Sequence, residues 1–136
     1  MRLPVLALAA ALVASPALAD GAAPGNDLIG TAWRLQTLSG ATAQDVETTL
    51  NIRADGIGGR GGCNTYGGGF ESRPDGIAFT QVFATLMACA EPAMNQEQNW
   101  FAVLEATANY RIEADTLTLL DDQGSALATL SAQPAT

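Results

Sequence analysis

The sequence predicts an α+β domain: a small, strongly curved antiparallel β-sheet, barrel-like, of about 7–8 short strands covered by one α-helix. Three observations predict it. Short segments of alternating apolar and polar residues recur along the chain, separated by Gly, Pro and Asp turns. A single stretch, Pro92 to Ala108, changes to helical spacing. No strand–helix–strand repeat announces a parallel sheet.

The elements follow in order. Met1 to Ala19 reads as a cleavable signal peptide. Arg2 supplies the basic start, Leu3 to Val13 the apolar run and Ala17-Leu18-Ala19 the small-residue site, with cleavage expected before Asp20. The run is too short to span a bilayer, which takes about 20 apolar residues. No cysteine follows the cut to carry a lipid. Residues 20–27 read as a flexible linker, and the domain proper as residues 28–131. Thr31 to Leu38 places Trp33, Leu35 and Thr37 on one side and Arg34 and Gln36 on the other, a half-buried strand. Val46 to Arg53 alternates again, and Asp55-Gly56 is a hairpin turn into Ile57 to Gly62. Gly68 to Arg73 forms a further strand, and Pro74-Asp75-Gly76 turns into Ile77 to Val82. In the helix, Met94, Phe101, Leu104 and Ala108 define an apolar stripe that Trp100 widens, and Pro92 suits the first turn. Three short strands close the chain: Asn109 to Ala114, Thr116 to Asp121 and Ser125 to Ser131. Residues 132–136 are expected to fray.

Removing residues 1–19 from the 136 leaves 117, enough for one domain. The formal net charge of −8 becomes −9 once Arg2 leaves, with five arginines, no lysine and fourteen acids. Such a surface repels nucleic acid and anionic lipid, so no nucleic-acid partner and no membrane insertion are expected. Two cysteines, Cys63 and Cys89, in an oxidising compartment read as a disulfide. The alternatives are buried free thiols or pairing with another chain. The bond would close a loop of about 26 residues, worth roughly 3–4 kcal/mol in the chain-entropy estimate.

The candidate chemistry is mostly negative. Gly56-Ile57-Gly58-Gly59-Arg60-Gly61 satisfies G-x-G-x-x-G, but that pattern binds dinucleotide phosphate only between a strand and a helix. Here Cys63-Asn64-Thr65-Tyr66 and three more glycines follow, which open no helix. The glycines read instead as bends of a curved sheet. Arg60 could bind an anion or pair with an acid. There is no histidine, hence no usual general base and no commonest metal ligand. Cys63 and Cys89 are not a C-x-x-C redox pair. No catalytic residue, no metal ligand and no cofactor is expected, and the protein is not expected to be an enzyme.

Two motifs remain. Gly62-Cys63-Asn64-Thr65-Tyr66-Gly67-Gly68 and, later, Thr85-Leu86-Met87-Ala88-Cys89 resemble the paired G-C-N-x-Y-x-G and T-x-M-A-C signatures of the META domain, the HslJ-like family. Glu97 ahead of Phe101, Trp33-Arg34-Leu35, Tyr110-Arg111-Ile112 and Leu117-Thr118-Leu119 also fit, so the resemblance covers about residues 28 to 130. It implies a small β-rich domain with one helix and a disulfide between the two motif cysteines. It further implies an envelope or secreted setting, periplasmic or fully exported, linked to stress responses and to motility or virulence. It implies no activity. Leu86 stands where a basic residue is frequent, and Ala128 where an aromatic often sits.

Physically, a Cys63–Cys89 bond would pin the helix start to the sheet. Asn64 is expected to take positive φ and to bond its own turn, Tyr66 to offer an apolar body with a polar tip, and Thr85 to tie the loop before Cys89. Gly62 and Met87 complete the structural set. Glu97, three after Met94 and four before Phe101, falls on the apolar helix face. There it is expected to accept hydrogen bonds from loop N–H groups or from Arg60, or else to be a first-turn acid facing solvent. An exposed loop from Asn64 to Gly69 is the expected binding surface, with Arg60, Asn64 and Tyr66 as its contact residues. The expected function is a monomeric, non-catalytic envelope module that binds a protein or small ligand. A chaperone-like stability factor and a Cys63/Cys89 thiol switch are the alternatives.

Overall fold

The computed structural model describes residues 23–44 and 46–134. The segment read as a signal peptide lies outside them. An antiparallel sheet curls into a half-barrel, and one helix, α1 (Ala93–Ala106), fills its open side. The strands are β1 (Thr31–Leu38), β2 (Ala41–Thr42), β3 (Thr49–Arg53), β4 (Gly56–Arg60), β5 (Thr65–Arg73), β6 (Gly76–Ala84), β7 (Asn109–Glu113), β8 (Thr116–Leu120) and β9 (Ala126–Gln133). Their order across the sheet is β6-β5-β4-β3-β1-β9-β8-β7, with the short β2 folded back on β1.

The curl has identifiable causes. Register shifts interrupt the ladders between Leu35 and Thr37, between Gly67 and Gly69 and between Leu119 and Leu120. Each extra residue bends its strand and tightens the twist. Alternation then sends Trp33, Leu35, Leu50, Ile52, Ile57, Tyr66, Ile77, Phe79, Leu117, Leu119 and Leu130 inward around Trp100 and Leu104 of the helix.

The two outer strands, β6 and β7, meet only at one end, where the Ile77 N–H donates to the Ala108 carbonyl at 3.0 Å. Gly76 makes that approach possible: a Cβ there would lie 2.0 Å from the Ala108 oxygen. Gly76→Ala should therefore push the seam apart and cost about 1–3 kcal/mol, the range for overpacking. An unchanged urea midpoint would show that the seam carries no load.

Several boundaries differ from the sequence reading. Residues 24–27 are not a free linker. A 3-10 turn, Asn26–Leu28, buries Leu28 completely, Ser72 Oγ donates to the Pro24 carbonyl at 2.8 Å, and the Gly25 N–H donates to Tyr110 Oη at 3.1 Å. The Tyr110 hydroxyl in turn donates to Asp27. Burial, with the hydrogen bond to Asp27 and its charge, pushes the Tyr110 hydroxyl up to about 12. The raised value means that the clamp is at full strength below about pH 10, where an unfolded tyrosine keeps its proton. It is lost as the pH rises from there towards 12. Tyr110→Phe should cost about 1 kcal/mol at neutral pH. It should also speed amide exchange over residues 25–28; unchanged exchange there would refute the clamp.

At the other terminus residues 132 and 133 are not frayed, because Ala132 and Gln133 pair with Trp33 and Ala32. β5 begins at Thr65 rather than Gly68, so the expected exposed loop from Asn64 to Gly69 is mostly strand. The buried helix face is Gln96, Glu97, Trp100, Val103 and Leu104; Glu97, Trp100 and Leu104 belong to the face read from the sequence, while Met94 and Phe101 lie at its edge. Glu97 is buried where its spacing puts it, and Gln96 is the polar residue at a core position that the spacing does not reveal.

Candidate functional site

The two motifs meet at one rim of the half-barrel, where β4 ends, β5 begins and β6 runs out towards the helix. β4 leaves the sheet through Gly61 and Gly62. A Cβ on Gly61 would lie 2.7 Å from Glu97 Oε1, and Gly62 takes φ 131° while standing 3.0 Å from the Ala93 carbonyl by the same measure. These two glycines let the chain pass directly over the first turn of α1. The G-x-G-x-x-G match is thus a strand and its exit.

Cys63 and Cys89 are joined by a disulfide, with Cα atoms 5.9 Å apart. Beside it Asn64 is buried, and every hydrogen-bonding capacity of its amide is filled. Nδ2 donates to Glu97 Oε2 at 2.6 Å and to the Met87 carbonyl at 3.2 Å. Oδ1 accepts from the Met87 N–H at 2.7 Å and from the Thr85 hydroxyl at 2.8 Å. Asn64 has no positive φ; that conformation falls to Gly62. Its side chain reaches residues 85–87 and 97 instead of its own turn, because the β6 exit lies alongside it. Thr85 also bonds Thr65 in both directions, accepting its N–H at 3.3 Å and donating its own N–H to the Thr65 carbonyl at 3.1 Å.

Glu97 closes the arrangement from the helix. Its Oε1 accepts the Cys63 N–H at 2.9 Å and the Asn64 N–H at 2.6 Å. Burial works to raise the carboxyl. The hydrogen bonds from the Asn64 amide and from the two backbone N–H groups, with the charge of Arg60, outweigh it and hold the carboxyl below its ordinary value. Arg60 itself is exposed, reaches the Cys63 carbonyl at 3.4 Å and makes no salt bridge among the described residues. Tyr66 is buried under Phe101, ring centroids 5.5 Å apart, and its hydroxyl donates to the Thr49 carbonyl at 2.6 Å. Burial pushes that hydroxyl up, and the Trp100 indole nearby offsets only part of the rise. The Trp100 N–H itself makes no hydrogen bond among the described residues.

Asn64 and Tyr66 therefore face inward and are committed to internal bonds; they are not contact residues of an exposed loop. What the cluster leaves outside is the segment it holds. Leu86 is 97% exposed, Phe83 69% and Met87 55%. The sequence reading missed this set. Its signal was the uncharged run from Gly76 to Ala90, in which large apolar residues outnumber the inward positions of a strand. Gln96 was missed as well: its amide donates to Thr48 Oγ1 at 2.9 Å and accepts the Gln44 N–H at 2.6 Å, tying the β2–β3 loop to the helix. Among the described residues no group of three His, Cys, Asp or Glu side chains could hold a metal ion.

The fold has solved counterparts. An NMR structure of a protein from Burkholderia xenovorans superposes with a TM-score of 0.63 at 21% identity, covering 96% of this chain and 99% of the other. A second NMR structure gives 0.60 at 20% identity over 77% of this chain and 91% of its own. At such identities the likeness is one of fold. No curated protein matches the sequence. The META domain pattern matches residues 26–134, a span that takes in both motifs, the disulfide and the Asn64–Glu97 cluster. The chain belongs to the META domain family.

Proposed function

We propose that the protein is a non-catalytic, exported binding module, and that the rim formed by Phe83, Leu86 and Met87 is its contact surface. One observation carries this reading: the Asn64, Tyr66, Thr85 and Glu97 side chains are all bonded inside the fold, while the segment they grip carries the exposed Phe83, Leu86 and Met87. A catalytic carboxylate or amide needs a free lone pair or proton facing a substrate. Glu97 and Asn64 face each other. A loop held by a disulfide and by both backbone groups of Met87 has little entropy left to lose on binding, which is how pre-organised contact surfaces gain affinity.

The disulfide supports an oxidising setting, in agreement with the signal peptide read at residues 1–19 and with a periplasmic or secreted protein. A link to envelope stress fits that setting. The chaperone-like alternative asks for a broad apolar patch. Among the described residues the exposed large hydrophobics gather at one rim, apart from Ile29.

A photo-crosslinking amino acid at position 86, compared with one at position 122, tests the reading in the native envelope. Adducts specific to position 86, and lost in a Phe83→Ala/Met87→Ala background, are expected. Identical adducts from both positions, or none from position 86, would overturn it.

A further inference from the structure

The two cysteines stand 26 positions apart. In an unstructured chain the thiols would meet only by closing a loop of that length. The fold removes most of that search without help from sulfur. The β5–β6 ladder ends at Tyr66 and Ala84, and Thr65 and Thr85 extend it, the Thr85 N–H donating to the Thr65 carbonyl and the Thr65 N–H to Thr85 Oγ1. Asn64 then holds both backbone groups of Met87, the N–H on Oδ1 and the carbonyl on Nδ2. Cys63 directly precedes Asn64, and Cys89 lies two residues after Met87.

Glu97 completes the hold from α1. It accepts the N–H of Cys63 itself, together with the N–H and the side-chain amide of Asn64. With these bonds made, one cysteine is fixed through its own backbone, and the chain still to be placed between the thiols is Ala88 and Cys89. None of the donors and acceptors in this hold is a sulfur atom. Cys63 Sγ lies 3.7 Å from the Met87 carbonyl, where a thiol proton would find an acceptor. The same arrangement therefore suits the reduced protein.

We propose that Asn64, Thr85 and Glu97 are positioning residues for the Cys63–Cys89 bond. They assemble in the folded, reduced chain and hold the two thiols together until an oxidising disulfide, of low molecular weight or on a protein, joins them. Cys63 is buried and Cys89 half-buried, so Cys89 meets the oxidant first. Its thiolate attacks one sulfur of the oxidant, and the other sulfur leaves as a thiolate. The Cys63 thiolate then attacks Cys89 Sγ in the mixed disulfide and expels the remaining sulfur. Two electrons pass to the oxidant, and the two thiol protons pass to water or to the departing thiolates. The coupling is reciprocal: the finished bond holds Asn64 beside Met87, so hold and bond strengthen each other by the same factor. The role is independent of what the rim binds.

Equilibration of the mature protein with mixtures of reduced and oxidised glutathione tests this, with the oxidised fraction read by thiol trapping and mass. Reduced wild type should keep its native near-UV circular dichroism. Asn64→Ala should lower the equilibrium constant for bond formation about tenfold, and Thr85→Val about threefold. Tyr110→Phe loosens residues 24–27, which are tied to the far end of β5 at Ser72, and should leave the constant unchanged. Should reduced Asn64→Ala unfold, Thr85→Val carries the comparison alone. Reduced wild type that is unfolded would overturn the proposal. So would an unchanged constant in Thr85→Val, or an equal fall in Tyr110→Phe.

Discussion

Asn64→Ala should lower the stability of the oxidised domain by about 3–5 kcal/mol, the range for breaking a buried hydrogen-bond network. For a domain of this size that is a fall of about 10–20 °C in Tm. The magnitude follows from what is left behind. Truncation strips a buried carboxylate oxygen, Glu97 Oε2, of its 2.6 Å partner, and strips the Met87 N–H and C=O of theirs. The Thr85 hydroxyl is at an exposed residue and can turn to water. Asn64→Asp separates shape from chemistry. It keeps the outline but sets a second carboxyl oxygen against Glu97, so the pair must hold a proton in the folded state at a pH where the unfolded chain has released it. Its stability should therefore rise as the pH falls from 7 to 5. Urea midpoints under non-reducing conditions measure all three proteins. An Asn64→Ala midpoint corresponding to a loss under 1 kcal/mol would mean that the disulfide alone holds the rim.

How much of this was legible in the sequence differs by element, for physical reasons. β1, the β3–β4 hairpin and the β7–β8–β9 meander carry period-two alternation with turn residues between, and each lies within a few residues of its predicted place. The family motifs likewise located the disulfide and the residues of the buried cluster. The helix and the inward position of Glu97, Trp100 and Leu104 were legible; Gln96 was not, because periodicity counts only apolar residues and Gln96 occupies a core site. Asn64 was read as a local turn former; its partners are 21 to 33 residues away along the chain, and no local rule reaches that far. The sequence reading starts β5 at Gly68, and the structure starts it at Thr65. In this sheet its glycines are paired, Gly67 with Phe83 and Gly69 with Thr80, and their missing side chains make room for that ring and for the Thr80 hydroxyl. The tie of residues 24–27 to the body had no sequence signal, since it depends on Tyr110 arriving from β7.

Glu97→Gln should cost about 2–4 kcal/mol at pH 7, and the loss should shrink on acidification. Three donors converge on this side chain: the Cys63 N–H, the Asn64 N–H and Asn64 Nδ2. A carboxylate accepts from all three. A glutamine in the same place must turn its own NH2 either towards the Asn64 amide or towards two backbone N–H groups, and both choices oppose donor to donor. The cost is then the loss of hydrogen bonds to a charged group plus an unsatisfied buried donor. The sign of the pH dependence follows from the direction of the Glu97 shift. Its carboxyl is held below the ordinary value in the folded state, so its contribution is complete above the unfolded value, about pH 4.3. Below that the unfolded chain takes up a proton first, and the contribution fades until the folded carboxyl is protonated too. Wild-type and variant stability curves should thus lie far apart at neutral pH and converge towards pH 3, with the variant the flatter on the acid side. Parallel curves over that range would mean that the charge of Glu97 contributes nothing, and that the rim is held by shape and disulfide alone.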